Sequence, residues 1–403
     1  MFTTLSGNNE KSSVGAKEKI EEVTITKRGK CVVRKILLIV LGMAVISFAL
    51  LWYRLRMDVR GRMEGTIIHL ETSNNRSFAI TEDNTLWAWG GVRGNIGRPL
   101  IEGINTSRRP TSIMDDVVAV SSSGHTMVIT SDGTLWGWGN NNRGQLGDGN
   151  TRDTLKPIAI KESVVAVSVN IGRTMAITED GTLWAWGDNR YGQLGDGTEE
   201  SQLTPIPIKE DVIMVSAGEH HTMAITEDGV LWAWGRNRRG YLGDGTTQDS
   251  LIPIQIMENV LAVSAGRGYT MAIDREGVLW AWGRDFRGRL GDGTDQDRFN
   301  PVPIMDNISS ISADFAHTMA IDKEGVLWTW GDNYRGRLGV GSTSDCSYPI
   351  PVRVMENITN VSVGSHHTIA VDKEGVLWAW GSNYYGQLGD GTRRNRYSPV
   401  RVR

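Results

Sequence analysis

Two histidine pairs, His220–His221 and His366–His367, and the aspartates of a recurring Gly-Asp-Gly, such as Asp196 and Asp244, are residue types that could hold a metal ion in this 403-residue chain. Zinc needs three or four ligands converging on one point, whereas neighbouring side chains on a turn diverge. The two cysteines, Cys31 and Cys346, lie near neither pair and are too far apart in sequence to imply a disulfide framework. The chain carries no Walker loop, no HExxH, no CxxC pair and no nucleophile elbow. His125, His221, His317 and His367 each precede a threonine at one repeat position, which points to a structural hydrogen bond inside each unit rather than to catalysis. The Gly-Asp-Gly aspartates read as turn formers for the same reason. The expectation is a protein without catalytic residues, cofactor or metal.

The elements that position these residues follow from a repeat. Seven Trp-x-Trp-Gly motifs begin at Trp87, Trp136, Trp184, Trp232, Trp280, Trp328 and Trp378, with separations of 49, 48, 48, 48, 48 and 50 residues. One unit, Pro205 to Gly235, contains four short runs rich in Ile, Val, Thr and Trp: 205–208, 212–217, 222–226 and 230–234. Short turns separate them, and a loop of about sixteen residues follows. Hairpin logic therefore groups the four runs into one antiparallel sheet, with the long loop passing to the next sheet. Ten of the eleven prolines fall in or just before the first run, which places that strand at a sheet edge. The fold class is all-β: a seven-bladed β-propeller of four-stranded antiparallel blades over residues 65–403. The domain opens on "GTIIHLETS" and ends on "SPVRVR", so the N- and C-terminal strands are expected to complete one blade together and close the ring.

Strand alternation sorts the connections onto two faces. One collects "TEDG", "DKEG", "KED" and "MEN" turns and is acidic; the other collects the turns before the His-Thr position together with the long loops. Arginines and aromatic residues on rigid loops are common interface anchors. The varied residues of this second face are the candidate partner-binding set: Arg190, Tyr191, His220, Arg238, Arg239, Tyr241, Arg267, Tyr269, Phe286, Arg287, Phe315, Tyr334, Arg335, His366, Tyr384 and Tyr385.

"WAWG…GQLGDGT" preceded by "SAGxxHTMAI" resembles the repeat of the regulator of chromosome condensation family, in all seven units. That resemblance implies the propeller and, as one activity, guanine-nucleotide exchange on a small GTPase. Exchange factors of this type insert a wedge-like hairpin, yet no unit here exceeds the norm by more than two residues. The chain is also similar in architecture to a propeller-type inhibitor of bacterial β-lactamases, whose matching turns would present Phe315, Tyr269 and His220.

Residues 1–35 form a polar tail, and residues 36–53, "ILLIVLGMAVISFALLWY", run without a charge for roughly 27 Å as a helix, enough to cross a bilayer. A basic linker, 54–64, follows. The expectation is a single transmembrane helix ahead of the propeller, with the N-terminus cytoplasmic and the propeller outside, as on a bacterial surface. A net charge of −3 speaks against a nucleic-acid partner. The function expected is a non-enzymatic, membrane-tethered propeller that presents its basic, aromatic face to another protein, with the bilayer as its second partner. Nucleotide exchange and enzyme inhibition are the alternatives.

Overall fold

The computed structural model describes residues 63–91 and 107–402. These form seven four-stranded antiparallel sheets, the blades of a propeller. The transmembrane helix expected over 36–53 lies outside the described residues. Among the described residues no helix is long and apolar enough to cross a membrane.

In the fourth blade the inner strand is Val212–Ala217, followed by His221–Thr226, Leu231–Gly235 and an outer strand, Ser250–Met257. The proline strand is thus the outer edge, as its missing donors require. It pairs, however, with the Trp-x-Trp strand that precedes it: Trp232 faces Gln255 and Ala233 faces Ile254. The sixteen-residue loop therefore lies within a blade, and the short "KED" link passes between blades, the reverse of the hairpin expectation. The link's own backbone explains this. Asp211 takes φ 58°, the Val212 amide donates to Gly181 O at 2.9 Å, and the Glu227 amide donates to Asp211 O at 2.9 Å. The link thus bonds the turns of two neighbouring blades instead of closing a hairpin.

Ring closure changes with it. The first blade (Ile67–Ser73, Arg76–Thr81, Leu86–Gly90, Ser107–Met114) and the last (Ile358–Val363, His367–Asp372, Leu377–Gly381, Arg396–Arg401) are each complete. Arg396–Arg401 pairs with its own blade, so no blade is shared between the chain ends. The two blades meet face to face, with Leu70, Trp87 and Trp89 against Ile369, Val371 and Leu388.

Each of the seven apolar clusters sits in one seam between adjacent blades, as between Met223, Ile225 and Leu231 on one side and Val260, Ala272 and Trp282 on the other. The glycine of the long loop makes that packing possible. Gly195 has φ +86°, and a Cβ there would lie 2.7 Å from the Trp234 indole nitrogen of the next blade. The indole instead donates to Gln193 O at 3.1 Å, and four other seams repeat the bond.

Two more circles of bonds link the blades. Around the central channel, Ser121, Ser168, Ser216, Ser264 and Ser312 each accept an amide N–H from the next blade at 2.9–3.1 Å. Glu71 takes the equivalent place in the first blade and accepts the Ser122 amide at 3.1 Å. Ser362 completes the circle through a 2.8 Å bond to the Thr72 hydroxyl.

The second circle uses the position before threonine. His125, His221, His317 and His367 are fully buried and bond Thr174, Thr270, Thr368 and Ser77 through Nε2 at 2.7–3.1 Å. These bonds cross between blades; they do not stay within one unit, as the repeat alone led us to expect. The hydroxyl partners donate to loop carbonyls, so Nε2 carries the hydrogen; Thr174, for example, donates to Gln145 O at 2.8 Å. Arg76, Arg173 and Tyr269 fill the other three places, Tyr269 reaching Thr318 at 3.2 Å.

Candidate functional site

The turns between inner and second strands and the long loops share one face of the disc. The glycine of "SAGEH" lets the His221 ring fold close over the turn, since a Cβ on Gly218 would fall 2.3 Å from it. The two histidines of the pair diverge. His221 points into the seam, while His220 stands on the face against Tyr191, ring centroids 5.0 Å apart. His366 and His367 diverge in the same way, His367 into the seam and His366 towards Phe315. Among the described residues no group of three or more His, Cys, Asp or Glu could hold a metal ion. The Gly-Asp-Gly aspartates are turn formers, Asp196 accepting from Asn189 Nδ2 at 2.9 Å and from the Thr198 amide at 3.0 Å.

Part of the candidate set gathers into one band around the channel mouth. Arg236 lies 4.4 Å over the Tyr191 ring, and Tyr191 packs on His220. Next to His220, Glu219 bonds Arg267 Nε at 2.8 Å. Arg267 lies 4.6 Å from the centre of the Phe315 ring. Phe315 and Tyr334 both meet His366 edge-on, at 5.9 Å in each case. The band thus crosses five consecutive blades without a break. Burial holds His366 near 4, helped by Arg337 and Arg335, and it also lowers His220, so both rings are neutral at pH 7. Asp314, beneath Phe315, is raised to about 6 by burial.

Two buried arginines position this band. Arg289 donates to Phe315 O at 2.7 Å, and Arg337 donates to Ser365 O at 2.8 Å while pairing with Asp332 at 2.8 Å. They occupy the loop position that Gln145, Gln193 and Gln387 fill elsewhere. Sequence reasoning missed Arg236, Asp314 and both props. The signal for Arg236 was available, because the residue after each Trp-x-Trp-Gly varies through Asn140, Asp188, Arg284, Asp332 and Ser382.

The remaining candidates do not join the band. Tyr269 is wholly buried in the seam, so it is not presented to a partner. Tyr241 is half-buried against His221, and its carbonyl accepts Trp282 Nε1 at 3.1 Å. Arg190 pairs with Asp188, Arg239 with Asp297, and Arg287 with Asp332. Arg335 packs on Tyr334 beside the band. Arg238, Phe286 and Tyr384 are exposed on the long loops, and Tyr385 packs edge-on against Tyr384 at 4.9 Å.

Solved structures share this architecture. Yeast RCC1 (Prp20), in its structure with Kap60, aligns with a TM-score of 0.71 at 20% identity over 85% of this chain and 89% of that one. Prp20p of Saccharomyces cerevisiae by itself gives 0.70 at 20% identity, over 85% and 91%. Human WBSCR16 gives 0.69 at 21% identity, over 79% and 95%. Comparison with curated protein sequences gives no match. The family model of the RCC1-like domain matches residues 54–313, and that of the regulator of chromosome condensation (RCC1) repeat matches 324–371 and 374–403. With the repeat traced through all seven blades, the chain belongs to the RCC1-like propeller family.

Proposed function

We propose that this propeller is a membrane-tethered protein-binding module whose partner docks on the band from Arg236 to Tyr334. The observation that carries the reading is the continuity of that band: aromatic and guanidinium groups from five blades meet around one opening, held by buried arginines. Rigid aromatic and arginine anchors lose little entropy on binding and dominate interface energetics. The tether rests on the uncharged run at 36–53 in the sequence. Chain entry beside the acidic turns fits it, since the Glu82 amide donates to Thr66 O at 2.9 Å. The opposite, loop-bearing face is then free for a partner.

The test compares capture by the full chain, by Arg267→Ala/Phe315→Ala/Tyr334→Ala, and by a control altered on the acidic face, Glu227→Ala/Asp228→Ala. One protein retained by wild type and control but lost by the triple variant supports the reading; equal capture by all three overturns it. Family membership favours nucleotide exchange as a second reading. One of the structures above reports Prp20p binding to Gsp1p and histones. A captured GTPase whose bound nucleotide is released faster in the presence of the chain would select that second reading.

A further inference from the structure

The central channel holds a cavity of about 590 Å³, a volume within the range of small-ligand sites. Its wall is polar: one inner strand from every blade contributes, with Ser121, Ser168, Ser216, Ser264, Ser312 and Ser362 at equivalent positions. Five of these hydroxyls accept an amide from the next blade; Ser121 gives its hydrogen to Glu71, which leaves those of Ser168, Ser216, Ser264 and Ser312 available.

The first blade breaks the pattern. Where the others have serine it places Glu71, which accepts from the Ser122 amide at 3.1 Å and the Ser121 hydroxyl at 3.4 Å. The charge acting on it comes from Asp314, another acid, and not from a cation. Two further residues of the first blade lining the cavity carry unsatisfied atoms: Ser73 Oγ, on a residue only 4% exposed, and His69 Nε2. Buried polar atoms without partners are rare and call for a ligand or water. Glu219 and Asp314 add carboxylates at the loop-side mouth, where Arg267 already neutralises Glu219.

We propose that the channel is a binding site for a primary ammonium or guanidinium group, which enters from the loop face and is held by Glu71 and Ser73. Such a group brings several N–H donors and one positive charge, matching a lone carboxyl set among hydroxyls. An anion would meet the Asp314 carboxylate unfavourably, and an apolar ligand would strand the hydroxyls. The same chemistry comes from two sources, a free polyamine or a lysine or arginine tip on a docked protein. The site does not depend on the partner reading above, because a free cation could fill it alone.

Burial raises the Glu71 carboxyl to about 8. An incoming cation must ionise it, so binding tightens as the pH rises through that value. From pH 6.5 to 8.5 the ionised fraction grows about 25-fold, and affinity follows it. The other titratable groups facing the channel change little over this range. His69 and His366 are lowered and stay neutral, and Asp314, at about 6, is mostly ionised throughout. Glu219 stays paired with Arg267.

The test is calorimetric titration of the full chain with spermidine, and separately with a short peptide bearing one lysine, at pH 6.5 and 8.5. We expect one saturable site for at least one probe, tightened about 25-fold at the higher pH and weakened at least tenfold by Glu71→Gln. The glutamine carbonyl of that variant can still accept the Ser122 amide, so it should fold, and a thermal melt checks it. Ser73→Ala should weaken binding by a smaller factor. A tighter peptide assigns the source to a protein side chain; a tighter spermidine assigns it to a free polyamine. Absence of saturable binding at millimolar probe and pH 8.5, or binding indifferent to Glu71→Gln, overturns the proposal. Tyr334→Ala alone, in the band but outside the channel lining, should weaken partner capture and leave these titrations unchanged, which separates the two claims.

Discussion

Replacing Asp285 by asparagine should stabilise the propeller, and more so at alkaline pH. In the long loops of the second, third, fourth and seventh blades an asparagine ties the turn together. Asn141, Asn189, Asn237 and Asn383 each donate from Nδ2 to the Gly-Asp-Gly aspartate at 2.8–3.0 Å, and each accepts a leucine amide at 2.8–3.0 Å. The fifth blade has Asp285 there. Its Oδ1 accepts the Leu290 amide at 3.3 Å, but its buried Oδ2 has no partner, with the Asp292 carboxylate in place to receive a donor that is missing. Burial, with Asp292 and Asp295 adding repulsion, raises this carboxyl from 3.8 to about 7.

An acid raised in the folded state costs nothing below its unfolded value of 3.8, costs progressively more up to about 7, and costs its full amount above that. The full amount is at most about 4 kcal/mol, and solvent around the part-exposed loop carboxylates reduces it to about 1–2 kcal/mol. Asparagine removes that cost and supplies the missing N–H to a charged acceptor, adding about 1 kcal/mol. Asp285→Asn should therefore raise the melting temperature by about 2–4 °C at pH 8 and leave it nearly unchanged at pH 4, where the protonated Asp285 itself offers Asp292 an O–H donor. Thermal unfolding of both full-length proteins across that range is the assay. A gain independent of pH, or a loss at pH 8, would refute the reasoning.

Acid should attack the seams. Burial depresses His125, His221 and His367 to about 3 and carries His317 well below its usual value, so stability is intact above 6.5 and lost as pH falls below it. Each histidine contributes about 1.4 kcal/mol per pH unit, and a denaturant series from pH 7 to 5 should show the summed slope, reduced in a His317→Tyr variant that copies the Tyr269 seam. Gly195→Ala should cost about 2–4 kcal/mol, combining left-handed strain with collision against Trp234. Gly149→Ala has nearly the same φ but its nearest neighbour at 3.9 Å, so its cost should be about 1 kcal/mol; equal losses would mean the indole contact is unimportant. Ser77→Ala and Thr174→Ala each orphan one seam histidine and should cost a similar 1–3 kcal/mol. Only the first loosens the seam that no peptide link spans, and hydrogen exchange should then quicken in the first and last blades alone.

The repeat, the number of blades, the edge position of the proline strand and the separation of two faces were all legible in the sequence. The grouping of strands was not, because loop length is a poor guide where a loop is itself structure. The long loop is tied within itself by the Asn189–Asp196 bond and seated on Trp234 of the next blade through Gly195, and the short link is freed from hairpin duty by the left-handed Asp211. The error in closure followed from the error in grouping. The site divided along a similar line. Residues beside the repeat position, such as His220, Arg267 and Phe315, reached the face, whereas Tyr269 occupies the repeat position itself and went into the seam. Variation at a position does not imply exposure, since arginine, histidine and tyrosine serve one buried role there.

That substitution pattern bears on how the ring holds without a shared blade. Three circles of interblade bonds, from channel serine, seam side chain and indole, recur at nearly every seam and demand only a donor or acceptor of suitable reach. The seam between the last and first blades satisfies two of them with different atoms. Ser77 replaces threonine opposite His367, and Thr72 meets Ser362 through hydroxyls rather than an amide. It keeps the loop bond of the other seams, the Gly391 amide to Arg108 O at 2.9 Å as Gly197 to Leu251 O, and adds Ser365 to Asn74 at 2.7 Å. Closure is therefore a matter of side-chain and loop complementarity across one seam. The same first blade departs from the pattern at Glu71, facing the channel, where a serine would have completed the circle equally well. A carboxyl there costs desolvation that the seam does not need. That cost without a structural return is the physical ground for assigning the channel a ligand.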